Sequence, residues 1–181
     1  MIFLNVGQCY VKYRVMNRLE NSRKIRTTAF NGIMLALIFA LQSVNLPNIL
    51  TGIVVNALLV FVSLYSGTAS GIALCAMSPV GGIISGHMPP VMYPVLPVIA
   101  IGNMLLVICL KKTANINRWL RYFFSALVKA VFIGFIGWLT IVYCIPEKLE
   151  TWVVLPVLGI QFITAITGCW LGEKLFQKIK K

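Results

Sequence analysis

Aspartate is absent from this 181-residue chain, and only four residues are acidic: Glu20, Glu147, Glu150 and Glu173. Two-metal carboxylate sites, Asp-based triads and aspartic dyads are excluded, because each needs carboxylates the chain does not supply. The single histidine, His87, rules out a multi-His metal site, and no HExxH occurs. No GxxxxGK[ST] phosphate loop is present, so the chain does not use ATP by itself. His87 lies in a Pro-rich loop with no serine motif to match it, and no catalytic constellation argues for an enzyme or a cofactor. Charge of either sign is scarce: 11% of residues are charged and 59% hydrophobic, where a soluble domain carries about 25% charged residues. That balance belongs to an integral membrane protein.

The long uncharged runs count the crossings. Between Arg26 and Lys111 lie 84 residues without Asp, Glu, Lys or Arg; Tyr122–Pro146 is interrupted only by Lys129, and Thr151–Gly172 is uncharged. A spanning helix needs about 20 apolar residues, so the first run has room for four crossings and the others for one each. Breaks are expected at Leu46-Pro47-Asn48, Ser66-Gly67-Thr68 and His87-Met88-Pro89-Pro90, where Pro lacks the helical donor and Gly costs backbone entropy. The pieces run 27–45, 49–65, 69–86 and 91–110. The fold class read from this pattern is all-α integral membrane, a six-transmembrane-helix bundle. Continuous apolar runs without period-2 alternation exclude a spanning barrel.

Basic residues orient the bundle. The N-terminal tail, the loop after the fourth span and the C-terminal tail hold 14 of the 16 Lys and Arg residues; Lys148 lies on the opposite face and Lys129 within a span. Positive residues stay cytoplasmic, so both termini are placed inside a cell membrane. The organisation expected is a basic cytoplasmic tail over 1–22, a membrane domain over 23–178 and a cytoplasmic end over 179–181. The net charge of +12 then reflects topology and attraction to anionic lipid, not nucleic acid. Ile2–Val6 is too short for a signal-peptide core, and Met16 reads as an equally serviceable start. The five cysteines (Cys9, Cys75, Cys109, Cys144 and Cys169) show no paired spacing and read as small buried hydrophobes, not as a disulfide framework or metal site.

Few polar groups interrupt the spans. Lys129 stands without an acid in its own helix, about 12 Å of helical rise beyond Arg121. Two uses fit it: neutralising an anionic solute group, or snorkelling along its four-carbon stem to the interface. Asn56, Asn103 and Gln161 fall near mid-membrane, as pocket walls or as interhelical hydrogen-bonding groups. The segment Ser78-Pro79-Val80-Gly81-Gly82 and the Pro-rich loop holding His87 and Tyr93 read either as an interrupted helix, tolerated at depth only when buried or lining a cavity, or as a Pro-stiffened turn with no ligand. Asn48 of the first outer loop shares that face of the membrane. In the first span, Gly32, Ala36 and Ala40 form a small-residue stripe for close helix approach, to a partner or within the bundle. A second stripe, Thr164-Gly168-Gly172, reads as packing within the chain.

Several segments together carry a resemblance. Six spans with both termini inside, Ala36-Leu37-Ile38-Phe39-Ala40, Asn48-Ile49-Leu50-Thr51-Gly52-Ile53-Val54-Val55-Asn56-Ala57, Pro97-Val98-Ile99-Ala100-Ile101-Gly102-Asn103 and the Pro-rich third loop make the chain resemble the substrate-specific S components of energy-coupling factor transporters, over about residues 23–178. The resemblance implies a membrane subunit that captures a vitamin or other small nutrient from outside. It would then dock on a transmembrane coupling subunit and a pair of ATP-binding cassette ATPases, through the alanines matched here by Ala36 and Ala40, with Gly32 extending the stripe. The aromatic and charged signatures of the thiamine, riboflavin and biotin members are not matched, so the nutrient stays unassigned. Asn48, Asn56, His87, Tyr93, Asn103, Lys129 and Gln161 are pocket candidates by depth and polarity. The alternative is a scaffold of the same fold serving envelope assembly without a solute. A stand-alone carrier is a third reading, disfavoured by the lack of an inverted repeat or acidic proton relay.

Overall fold

The computed structural model describes residues 2–44, 46–86, 90–144 and 154–180, all helix and short connections, with no strand among them. Six α-helices follow in order: α1 (Ile2–Ser43), α2 (Asn48–Tyr65), α3 (Thr68–Ile84), α4 (Leu96–Lys112), α5 (Arg118–Cys144) and α6 (Val154–Ile179), with a 3-10 segment, Pro90–Val95, leading into α4. Four helices are long and apolar enough to cross a bilayer: Arg14–Ser43 within α1, Asn48–Tyr65, Met92–Lys112 and Arg118–Cys144. The apolar α3, 17 residues long, is shorter.

The helix boundaries follow local chemistry. Pro47 precedes the first turn of α2, and Gly67 takes φ +97° to open α3, a conformation that costs a residue with a Cβ. Pro97 sits in the first turn of α4, where its missing donor is not needed, and Lys111 and Lys112 lie at the negative end of that helix. Asn117 caps α5, its Oδ1 accepting from Trp119 N at 3.2 Å. Helix α1 runs unbroken from the basic segment into the apolar one, with Glu20 and Lys24 paired at 2.8 Å one turn apart.

One expectation is overturned. The segment Ser78–Gly82 does not interrupt its helix: α3 continues through Pro79 to Ile84. Pro79 removes the N–H that would bond the Cys75 carbonyl, but the Ser78 hydroxyl donates to that carbonyl at 3.2 Å. A neighbouring side chain thus restores the backbone bond, which is how proline is accommodated in apolar helices.

Packing arranges α2 through α6 as a ring in which α2 lies against α6 and α3, α6 against α5, α5 against α4, and α4 against α3. Helix α1 joins from outside, along α3 and part of α2. The α2–α6 pairing is the most intimate. A methyl at Gly172 would come within 2.5 Å of the Ala57 carbonyl oxygen, and one at Gly52 would lie 3.2 Å from Thr164. The Thr164-Gly168-Gly172 stripe therefore packs within the chain as read. Two apolar clusters fill the ring, one around Leu58, Leu59, Val62, Leu74 and Val107, the other around Val60, Leu106, Leu110, Ala126 and Ala165. Cys75 and Cys169 are buried within them, whereas Cys109 is half-buried and Cys144 is exposed at the end of α5. The reading of the cysteines as buried hydrophobes therefore fails for Cys144.

Candidate functional site

Lys129 reaches inward, not back toward Arg121. Its side chain is 2% exposed, and its Nζ donates to Asn56 Oδ1 at 2.6 Å. Of the two uses open to it, snorkelling is set aside. Helices α2 and α5 have little direct contact, α2 packing on α6 and α3 and α5 on α6 and α4, so the Lys129 stem spans the interior to reach Asn56. A central Lys costs about 2.5–3.5 kcal/mol on insertion, and a neutral amide does not cancel its charge. Among the described residues no carboxylate lies within ion-pair distance of it: Glu20 pairs with Lys24, and Glu173 with Arg121 and Arg118.

A second polar group lies at the junction of α1, α3 and α4. Asn103 Nδ2 donates to Ser78 Oγ at 3.2 Å, and Gln42 Nε2 donates to the Ser78 carbonyl at 3.1 Å. Gln42 Oε1 is buried without a hydrogen-bond partner among the described residues. The Cys75 carbonyl also belongs to this group, receiving the Ser78 hydroxyl at 3.2 Å.

The remaining candidates are dispersed. Asn48 is exposed at the start of α2, and Tyr93, 38% exposed, lies on the 3-10 segment. Gln161 is half-buried on α6, where its backbone carbonyl accepts from Thr164 Oγ1 at 3.2 Å. His87 lies outside the described residues. In the first span, Gly32, Ala36 and Ala40 face away from the bundle, and a methyl on Gly32 would meet nothing within 4 Å. Packing of that stripe within the bundle is thereby excluded.

Three features escaped the sequence reading. Ser78 is a polar hub as well as the companion of a proline. Ser125, one turn before Lys129, is fully buried; its spacing from Lys129 was the available signal. Near the start of α5, the Glu173 carboxylate of α6 accepts from Arg121 and from the Tyr122 hydroxyl at 2.7 Å, with Gln177 at 3.3 Å and Arg118 at 3.6 Å. This knot fastens α5 to α6 where Lys174 also covers the Trp170 ring. Glu173 is the one acid placed between uncharged and basic sequence in α6, and that position marked it.

The fold and its interior thus define an all-helical protein with membrane-type helices around a polar, cationic centre. Comparison with known proteins finds no matching family model, no matching curated protein and no matching solved structure.

Proposed function

We propose that the chain is the solute-capture subunit of an ATP-driven importer in the cell membrane, of the kind the S components of energy-coupling factor transporters represent. In this reading it crosses six times with both termini cytoplasmic, α3 and α6 completing the count, and the 14 basic residues of one face fixing the orientation. One observation carries the reading. Each of the first five helices contributes a polar side chain to these groups: Asn56, Ser78, Asn103 and Lys129, all buried, and the half-buried Gln42, which donates to Ser78. Packing alone is served more cheaply by apolar residues, because buried polar groups that are only partly satisfied are costly.

The outward stripe Gly32-Ala36-Ala40 supports docking on a transmembrane coupling subunit, which would bring the ATPase pair the chain lacks. Small residues permit close helix approach where lipid offers no hydrophobic drive.

The test is purification in mild detergent, denaturation, and mass spectrometry of the small molecules released. A single stoichiometric metabolite is the expected result. Protein that is repeatedly empty, also when extracted with its native lipid, and that carries a bound membrane partner instead would replace this reading with a solute-free scaffold.

A further inference from the structure

The polar centre holds an unbalanced set of groups. A Lys ammonium has three N–H donors, and among the described residues one of them is used, on Asn56 Oδ1. One helical turn away on the same face of α5, Ser125 is 0% exposed and its Oγ has no hydrogen-bond partner among the described residues.

Ser125 departs from the habit of this chain. The hydroxyls of Ser43, Ser70, Thr113, Thr140 and Thr167 all donate to the carbonyl four residues back. That is the usual resting place for a helical hydroxyl with nothing else to bind. Ser125 makes no such bond to Arg121, so its hydrogen is free for another acceptor. The hydroxyl of Tyr122, further along the same face, is already committed to Glu173.

Around Lys129 the surplus is of one kind, N–H and O–H donors beside one positive charge; the orphaned acceptor, Gln42 Oε1, belongs to the other polar group, at the junction of α1, α3 and α4. Among the described residues, acceptors of opposite charge are missing there. A neutral solute would supply acceptors but leave the charge uncompensated, whereas an oxyanion supplies both.

We propose that Lys129 and Ser125 anchor an oxyanion group of the captured solute, a carboxylate or a phosphate monoester, with Asn56 steering the ammonium toward it. This rests on the capture reading and names the chemical class of its cargo. Both anchor groups are closed to solvent, so the solute is enclosed by the helices once seated.

The experiment uses the full chain in lipid nanodiscs. Metabolites released from wild type, Lys129→Met, Lys129→Arg and Ser125→Ala are profiled. Binding is then measured for the released metabolite and for charged–neutral probe pairs: nicotinate with nicotinamide, pantothenate with panthenol, pyridoxal phosphate with pyridoxal. The expected result is a released metabolite bearing a carboxylate or phosphate. Its affinity should fall at least about tenfold in Lys129→Met, be largely restored in Lys129→Arg, and fall severalfold in Ser125→Ala. Thermal melting in the same nanodiscs verifies that each variant is folded, and Lys129→Arg keeps the test decisive should the Met variant fail. A neutral released metabolite, or an anionic one held equally by Lys129→Met, overturns the oxyanion anchor and leaves solute capture standing. No released metabolite and no binding of any probe overturns capture itself, and the anchor with it.

Discussion

Gly168 of α6 lies against Asn56 of α2 so closely that a methyl on the glycine would come within 2.5 Å of the asparagine Cβ and 3.1 Å of the Ala57 backbone nitrogen. The absence of a side chain at one position thus sets the depth at which the amide of another meets Lys129. The Gly168→Ala variant should part α2 from α6 and lower stability by about 1–3 kcal/mol, as overpacking does. It should also weaken solute retention through the displaced Asn56. Melting in detergent and ligand release, measured together, check this. Unchanged melting would mean that the helices close up without cost.

Gly32 is the control. A methyl there meets nothing within 4 Å, and a helix gains about 0.5–1 kcal/mol from Gly→Ala. Gly32→Ala should melt at the same temperature or slightly higher.

Bulky residues on the outward stripe should separate recognition from capture. Ala36→Leu with Ala40→Leu should leave melting and solute retention intact while abolishing uptake by cells and co-purification of a membrane partner. Loss of solute retention would instead tie the stripe to the interior.

Ser78 and Pro79 should behave as a coupled pair. Ser78→Ala removes the donor to the Cys75 carbonyl and the acceptor for Asn103, at a cost of about 1–3 kcal/mol. With Pro79→Ala already in place, a backbone N–H returns to the Cys75 carbonyl and the cost should shrink. A double-mutant cycle on melting reads the difference. Additive effects would show that the hydroxyl does not stand in for the missing amide.

Glu173→Gln should strand the Arg121 guanidinium, at about 3–5 kcal/mol for a buried pair with one partner removed. Tyr122→Phe should cost about 1 kcal/mol, one hydrogen bond. Melting of the two variants orders them. If Tyr122→Phe proved the more damaging, the carboxylate would be held chiefly by the phenol.

What could be read from the chain was local. Pro47 and Gly67 marked the breaks on either side of α2, because both act on their own backbone. Lys129 announced itself by standing alone in an uncharged run, but its bond to Asn56, 73 residues earlier, depends on how far α6 lets α2 approach. Periodicity along one helix carries no such register. The continuation of α3 through Pro79 was misread because proline was weighed without the preceding serine. Asn48 and Tyr93, on the outer loops, were named pocket candidates by depth and polarity, and neither says which way a side chain faces.

If the chain spans the membrane as proposed, the Lys129 cation, unpaired with any carboxylate among the described residues, would also make the molecule sensitive to voltage. Moving one elementary charge across a membrane is worth about 2.3 kcal/mol per 100 mV, so on the proposed reading an inside-negative potential would pull the Lys129 ammonium toward the cytoplasm. A monoanion seated against that ammonium cancels the pull. Solute-free and loaded forms would then differ in electrical work, and rearrangement of the loaded form would be electrically silent.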